Sequence, residues 1–348
     1  MATLTDFPIR LKNARLMKGW SMDELCSHMD PPVTKMTISR FEKGELKPTL
    51  DHLMSLARAV GLSPDYFSRP IKVQMGDICF RKKSNVPMKT KSMIEKSTAD
   101  IIERYIEAEE ICGAVPTENL PRYRVSTLEE ARGAAQKIRE MWNLGENCIG
   151  DTIELLEKHG VKVVEIEVVN GFDGLSTWID KNIPIIVLAD KDCPERKRLT
   201  ALHEFGHLIL DIDTTLSPKM IECVCNSFAS ELLLPETIIR KVVGEKKEIS
   251  SYDIIPLQKE FGISIDAIMH KLKECGIISE QRYMGFRVQK NKRPGYKEFI
   301  EKSYWHEEHT NRFLRLVGIA LEKGLVSISK AAALLGMNIG EVKRVFAV

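Results

Sequence analysis

His203, Glu204 and His207 fall in a run, Arg198 to Leu210, whose apolar residues recur with a helical period. Positions i and i+4 of a helix lie one above the other, so the two imidazoles can meet a single metal ion. Glu204, one step round, is placed to act as general base on an attacking water. This H-E-x-x-H spacing serves metal-assisted hydrolysis. The blander reading is a pair of surface histidines on an ordinary helix. Leu202, Phe205, Leu208 and Ile209 argue against it, because they mark a core helix, where unpartnered polar groups are costly.

A third ligand is expected downstream. Ile221 to Leu234 reads as a second helix ending at Pro235. Glu222, Cys225, Asn226, Ala229, Leu232 and Leu233 share one stripe, and a carboxylate at its head needs a partner that a metal would supply. Glu231 lies about half a turn out of phase with Glu222 and reads as solvated. Asp211 and Asp213 are alternative ligands. Cys223 and Cys225 form a C-x-C with no second pair at zinc-finger spacing, and Cys225 reads as a small core residue. Two histidines and Glu222 with a fourth position open would make a catalytic site, for which Zn2+ is the expected metal, rather than a structural one. Asn226 is expected to support these ligands from behind.

These two segments resemble the ImmA/IrrE family of metallopeptidases. His203 to His207 matches its H-E-x-x-H. Glu222-x-x-Cys225-Asn226-x-Phe228-Ala229-x-x-Leu232-Leu233-x-Pro235 matches the second motif, whose first Glu is the third ligand in that family. The resemblance extends to Ala135, Ile138, Arg139, Trp142 and Leu144 upstream. It implies a cytoplasmic zinc protease that cleaves helix-turn-helix repressors of mobile elements or stress regulons.

The first seventy residues read as five short helices. Ser21 with Glu24 makes a capping box, Asp30-Pro31-Pro32 forces a turn, and Gly44 stops the third helix. Such an order describes a helix-turn-helix unit. Ile38-Ser39-Arg40-Phe41-Glu42-Lys43-Gly44, followed by Pro48 and Thr49, resembles the XRE family, although Met22 stands where those domains commonly carry Gln. The resemblance implies DNA binding. Thr34, Lys35, Thr37 and Arg40 form the exposed face of the third helix and are the expected contacts, with Phe41 in the core. Residues 1–69 hold ten Lys and Arg against eight Asp and Glu. Residues 70–100 hold seven against three, with Arg81, Lys82 and Lys83 clustered, which could extend a phosphate-contacting surface.

The 348 residues suffice for two or three domains. The overall charge of +2 selects no partner. The N-terminus has no apolar leader region, no apolar stretch reaches the length of a membrane span, and the eight cysteines show no disulfide-framework spacing. A cytoplasmic location away from membranes is therefore expected.

The elements that must position these residues are a connector helix (Met93 to Cys112) and three strand-like runs, Val161 to Val169, Leu175 to Asp180 and Ile183 to Ala189. Their short links suggest an antiparallel meander, with Leu175 to Asp180 as an edge for substrate. Ser126 is expected to cap the helix that opens this unit. Glu307 to Gly324 and Ser327 to Phe346 read as helical, and Ser329 to Val342 resembles a simple helix-turn-helix core, for which a docking or dimerising bundle is the alternative. His270 could approach the site. His306 and His309 show no metal partner in the sequence.

The expected architecture is α+β and mainly helical, in four parts: 1–69, a helix-turn-helix domain; 70–121, a basic linker and connector; 122–285, a zincin-like metallopeptidase domain with a small antiparallel sheet; and 286–348, a C-terminal helical segment. The expected function is a DNA-binding regulator, acting at its own promoter or an element operator, fused to a zinc endopeptidase that cleaves a helix-turn-helix repressor. The other reading is a non-proteolytic transcription factor or antitoxin that uses the peptidase fold for sensing, partner binding or homodimer formation.

Overall fold

The computed structural model describes residues 6–71, 73, 87–116, 119–167, 172–179, 182–190, 193–244, 249–303 and 305–347. The chain forms two compact units, Met1–Pro116 with Asn311–Val348, and Thr117–Thr310. Among the described residues no helix is long and apolar enough to cross a membrane. The expected cluster of Arg81, Lys82 and Lys83, the Asn170 and Gly171 link, and Asp180 and Lys181 lie outside the described residues.

The first unit opens with α1 (Phe7–Met17), whose Pro8 fits the first turn, where no N–H bond is lost. Next come α2 (Met22–His28), with the Ser21 and Glu24 capping box in place, and α3 (Lys35–Glu42), capped by Thr34. Then α4 (Leu50–Val60) ends at Gly61 in the left-handed region, followed by a 3-10 turn, Pro64–Ser68. Leu11, Leu25, Ile38, Phe41, Leu56 and Phe67 form their core. Arg15 clamps Glu42 with two hydrogen bonds of 2.6 and 2.9 Å, fixing α1 to α3. The connector helix α5 (Met88–Cys112) begins five residues before the expected Met93.

In the second unit β1 (Tyr123–Val125) precedes α6 (Leu128–Met141). Its capping box is Thr127 with Glu130, one residue later than the expected Ser126; two overlapping matches exist in the sequence, and the later one sets the helix. Then follow α7 (Thr152–Lys158), β2 (Lys162–Ile166), β3 (Gly174–Ile179), β4 (Ile183–Ala189) and α8 (Pro194–Ile209). Next are β5 (Leu210–Ile212), α9 (Pro218–Leu233), α10 (Glu236–Val243), α11 (Ser251–Phe261), α12 (Ile265–Glu274), α13 (Glu280–Lys292) and α14 (Pro294–Glu301).

The mainly helical α+β class holds, but the small sheet is not the expected antiparallel meander. Its order is β2-β4-β3; β3 runs antiparallel to β4, and β2 runs parallel to it. The reason lies in β4, whose continuous apolar run is buried from Pro184 to Ala189 and so takes the centre. A second, two-stranded sheet pairs β1 with β5 in parallel. Three-residue strands carry too little alternation to be read in advance.

Glu231 also departs from expectation. It is fully buried, forms an ion pair with Lys271 and accepts the Glu236 N–H at 3.1 Å. The half turn that separates it from Glu222 points it toward α6 and α12 rather than water, because Gln136 on α6 also donates to it at 3.2 Å.

The C-terminal helices return to the first unit as α15 (Arg312–Glu322), α16 (Ile328–Leu335) and α17 (Ile339–Phe346). Residues 307–311 are not helical, contrary to the sequence pattern, because Glu308 is drawn inward. It is 1% exposed, pairs with buried Arg198, and accepts the Thr152 N–H at 2.9 Å and the Trp305 indole N–H at 3.1 Å. Ser327 to Phe346 is helical as expected, with a turn at Gly336, in the left-handed region, where the helix-turn-helix resemblance implies one, and α17 starts from Asn338.

Removing Lys271 would leave Glu231 as an uncompensated buried charge. Lys271→Met is expected to cost about 3–5 kcal/mol, read by urea unfolding. A loss under about 1 kcal/mol would show that water reaches the pair.

Candidate metal centre and nucleic-acid interface

The centre is built where α8 crosses α9. Gly206, inside the H-E-x-x-H turn, permits the approach: a Cβ there would lie 3.1 Å from Phe228 Cδ1 and 3.6 Å from the Cys225 Cα. This brings the Glu222 carboxylate over both histidines, with Oε2 3.2 Å from His203 Nε2 and Oε1 3.6 Å from His207 Nε2. The far edges of the rings are also engaged. Asn226 Oδ1 lies 2.9 Å from His203 Nδ1, and Cys225 Sγ lies 3.3 Å from His207 Nδ1. An Nδ1–H donated backward by each ring would leave its Nε2 lone pair for an ion, the tautomer that metal-ligating histidines use.

These residues fit a zinc ion. His203, His207 and Glu222 offer donor atoms that all lie within 4.8 Å of one another. Bonds of about 2.0 Å at the tetrahedral angle separate ligand atoms by about 3.3 Å, close to the observed spacings. The electrostatics agree. Burial pulls the His203 imidazole down, but hydrogen bonding to Glu222 and the charges of Glu204 and Glu222 outweigh it and leave the group raised. Hydrogen bonds from His203 and His207 hold the Glu222 carboxyl well below the usual carboxylate range. A raised histidine beside a lowered carboxylate marks a point where positive charge is favoured.

Glu204 is 8% exposed and is not one of the three donors. Its carboxylate accepts a 2.9 Å hydrogen bond from the Ser176 hydroxyl on β3. Gly174 lets β3 sit directly on α8, since a Cβ there would meet Thr200 Cγ2 at 2.9 Å and Glu204 Cγ at 3.3 Å. Sequence reasoning missed Ser176, because nothing local marks a strand serine as the neighbour of a carboxylate 28 positions on. Cys225 was readable only as a core residue. It is buried, yet its Sγ also lies against His207 Nδ1, a contact its place on the Glu222 stripe could have suggested.

The alternative ligands lie elsewhere. Asp213 accepts hydrogen bonds of 2.8 Å from the Thr215 N–H and hydroxyl, and His270 packs edge-on against Tyr283 and lies 3.9 Å from Glu274. His309 does have a carboxylate partner, which the sequence did not suggest: Glu165, 3.3 Å away. Together with Asp190 they could hold a cation, but the buried Lys197 ammonium already pairs with Glu165 and lies 3.8 Å from Asp190. That lysine supplies the positive charge.

On the first unit, Thr34, Lys35 and Arg40 are exposed along α3, Thr37 is half-buried, and Phe41 is in the core. The Thr34 hydroxyl is engaged with Thr37, accepting its N–H at 3.2 Å, and Lys35 pairs with Asp23 at 2.6 Å. Met36, 72% exposed beside them, is an apolar group of the same face that the sequence reading passed over.

Comparison with known families agrees with this layout. Residues 156–273 match the peptidase-family model described as the IrrE N-terminal-like domain, and residues 11–67 match a helix-turn-helix model. No curated protein matches the chain. The chain thus carries an XRE-type helix-turn-helix region followed by a region similar to the IrrE N-terminal-like peptidase domain.

Purified protein is expected to carry about one zinc per chain, measured by atomic emission. His203→Ala or Glu222→Ala should lower that content, and Glu204→Gln should keep it. Full zinc in Glu222→Ala would assign the third ligand elsewhere.

Proposed function

We propose that this chain is a cytoplasmic DNA-binding regulator whose second unit is a zinc-dependent endopeptidase, and that its substrate is a helix-turn-helix repressor. The observation that carries the reading is Glu204. A site that only held metal for structure would have no use for a carboxylate beside the ligands, held by a separate hydrogen bond from Ser176.

His203, His207 and Glu222 would hold the ion, with Asn226 and Cys225 orienting the two rings. Zinc, when bound, supplies Lewis-acid activation of water and of the peptide carbonyl. Glu204 accepts the proton of the attacking water and returns it to the leaving amine. The Ser176 hydroxyl, donating to the Glu204 carboxylate, fixes its direction. β3 is an outer strand of its sheet, so an extended substrate chain added along it would run past Glu204.

The DNA-binding part rests on the helix-turn-helix domain and the polar face of α3. Position on an operator would bring the peptidase to repressors bound nearby, which favours a narrow choice of substrate over general proteolysis.

Incubation with helix-turn-helix proteins encoded beside it is expected to give one specific cut. Glu204→Gln should abolish the cut while zinc remains, and Ser176→Ala should lower kcat by about 10- to 100-fold. If no such protein is cut with zinc and DNA present, while promoter repression survives in Glu204→Gln, the non-proteolytic regulator is the correct account.

A further inference from the structure

The C-terminal helices α16 and α17 share a compact unit with the N-terminal helix-turn-helix domain, and neither family match reaches them. Their link is three residues long. Gly336 takes φ +67°, Met337 follows, and Asn338 caps α17 by accepting the Glu341 N–H at 2.9 Å. A short turn containing glycine between two helices of eight residues is the helix-turn-helix arrangement. Val342 on α17 is fully buried, and the Phe346 ring one turn later fills the notch at Gly318 on α15, where a Cβ would lie 2.7 Å from it. The opposite face of α17 presents Gly340, Lys343 and Arg344 to solvent.

Two observations point that face at DNA. The first is charge: of the six Lys and Arg in residues 311–348, Arg312 pairs with Glu109 and Lys330 with Glu107, while Lys343 and Arg344 on α17 are exposed, against two Asp and Glu in the segment. The acidic Glu341 is turned back onto the Asn338 N–H at 2.8 Å and leaves Lys343 and Arg344 outermost. The second is a buried polar chain linking the two elements through α5. Arg69, which follows the N-terminal domain, donates to Asp100 at 3.3 Å. Arg104 donates to the same carboxylate at 3.0 Å and to the Leu334 carbonyl, at the end of α16, at 2.6 Å. α5 therefore carries both elements in a fixed relation.

We propose that α16 and α17 form a second DNA-binding element, and that this unit contacts one duplex at two places, through α3 and through α17. The inference shares the DNA-binding part of the reading above and is independent of the peptidase part.

The test uses the full chain and duplexes that it selects from a random pool, with hydroxyl-radical footprinting and titration across salt. Wild type is expected to protect two blocks. Lys343→Ala with Arg344→Ala, both exposed, should lose one block and lower the salt slope by about 2, whereas Arg40→Ala should lose the other block. Unchanged footprint and slope in the double variant would overturn the proposal and make α17 a packing helix. Unchanged DNA binding with a lower mass in solution would overturn it in favour of self-association. Loss of all binding in the double variant, with none in Arg40→Ala, would sustain α17 as a DNA element and remove α3 from the proposed function. A chain that selects no duplex would overturn both.

Discussion

The close contact of α8 with α9 is the constraint on which the second unit depends. Two histidines one turn apart can supply two metal ligands from a single helix, but the third must come from another, at ligand distance. Gly206 removes the one side chain that would keep the helices apart, and Cys225 and Phe228 fill the space against it. The helices are held on both sides of this contact. Buried Arg198 on α8 is fixed by Glu308 and by the carbonyl oxygens of Gly150 and Ile149, at 3.0 and 2.7 Å. Buried Glu231 on α9 is fixed by Lys271. Charges placed in the interior are costly unless paired in good geometry, so each pair restricts its helix to one position. The Glu222 side chain, by contrast, is 44% exposed.

Much of this was legible because it is local. The H-E-x-x-H spacing, the Ser21 and Glu24 capping box and the turn before α3 are written within a few residues of one another. The stripe that begins at Glu222 gave the orientation of half of α9. The remainder depended on partners far along the chain. Glu231 read as solvated because one amphipathic face was assumed, whereas α9 is packed by α6, α8 and α12 together. Residues 307–311 carry a helical pattern yet are not helical, and Glu308 among them is the buried counter-ion of Arg198. The parallel pairing of β2 with β4 follows from which strand is most buried, and pairing order is not written in a strand's own alternation.

The first unit is discontinuous in sequence, and its two parts are closed by polar contacts on α5. Arg312, the first residue of α15, pairs with Glu109 and donates to the Ala114 carbonyl at 2.8 Å, while its guanidinium lies 5.6 Å from the Tyr105 ring. The segments that leave for the second unit and return from it are thereby clasped together. In sequence, the peptidase-like unit is thus an insertion within the helical unit.

Zinc K-edge X-ray absorption on the full chain bears most directly on the claim that the α8 and α9 contact builds a metal site from two imidazoles and a carboxylate. The account predicts nitrogen and oxygen scatterers alone at about 2.0–2.1 Å, with the outer-shell signature of two imidazole rings. A sulfur scatterer at about 2.3 Å would contradict it, because it would make Cys225 or Cys223 a ligand in place of Glu222.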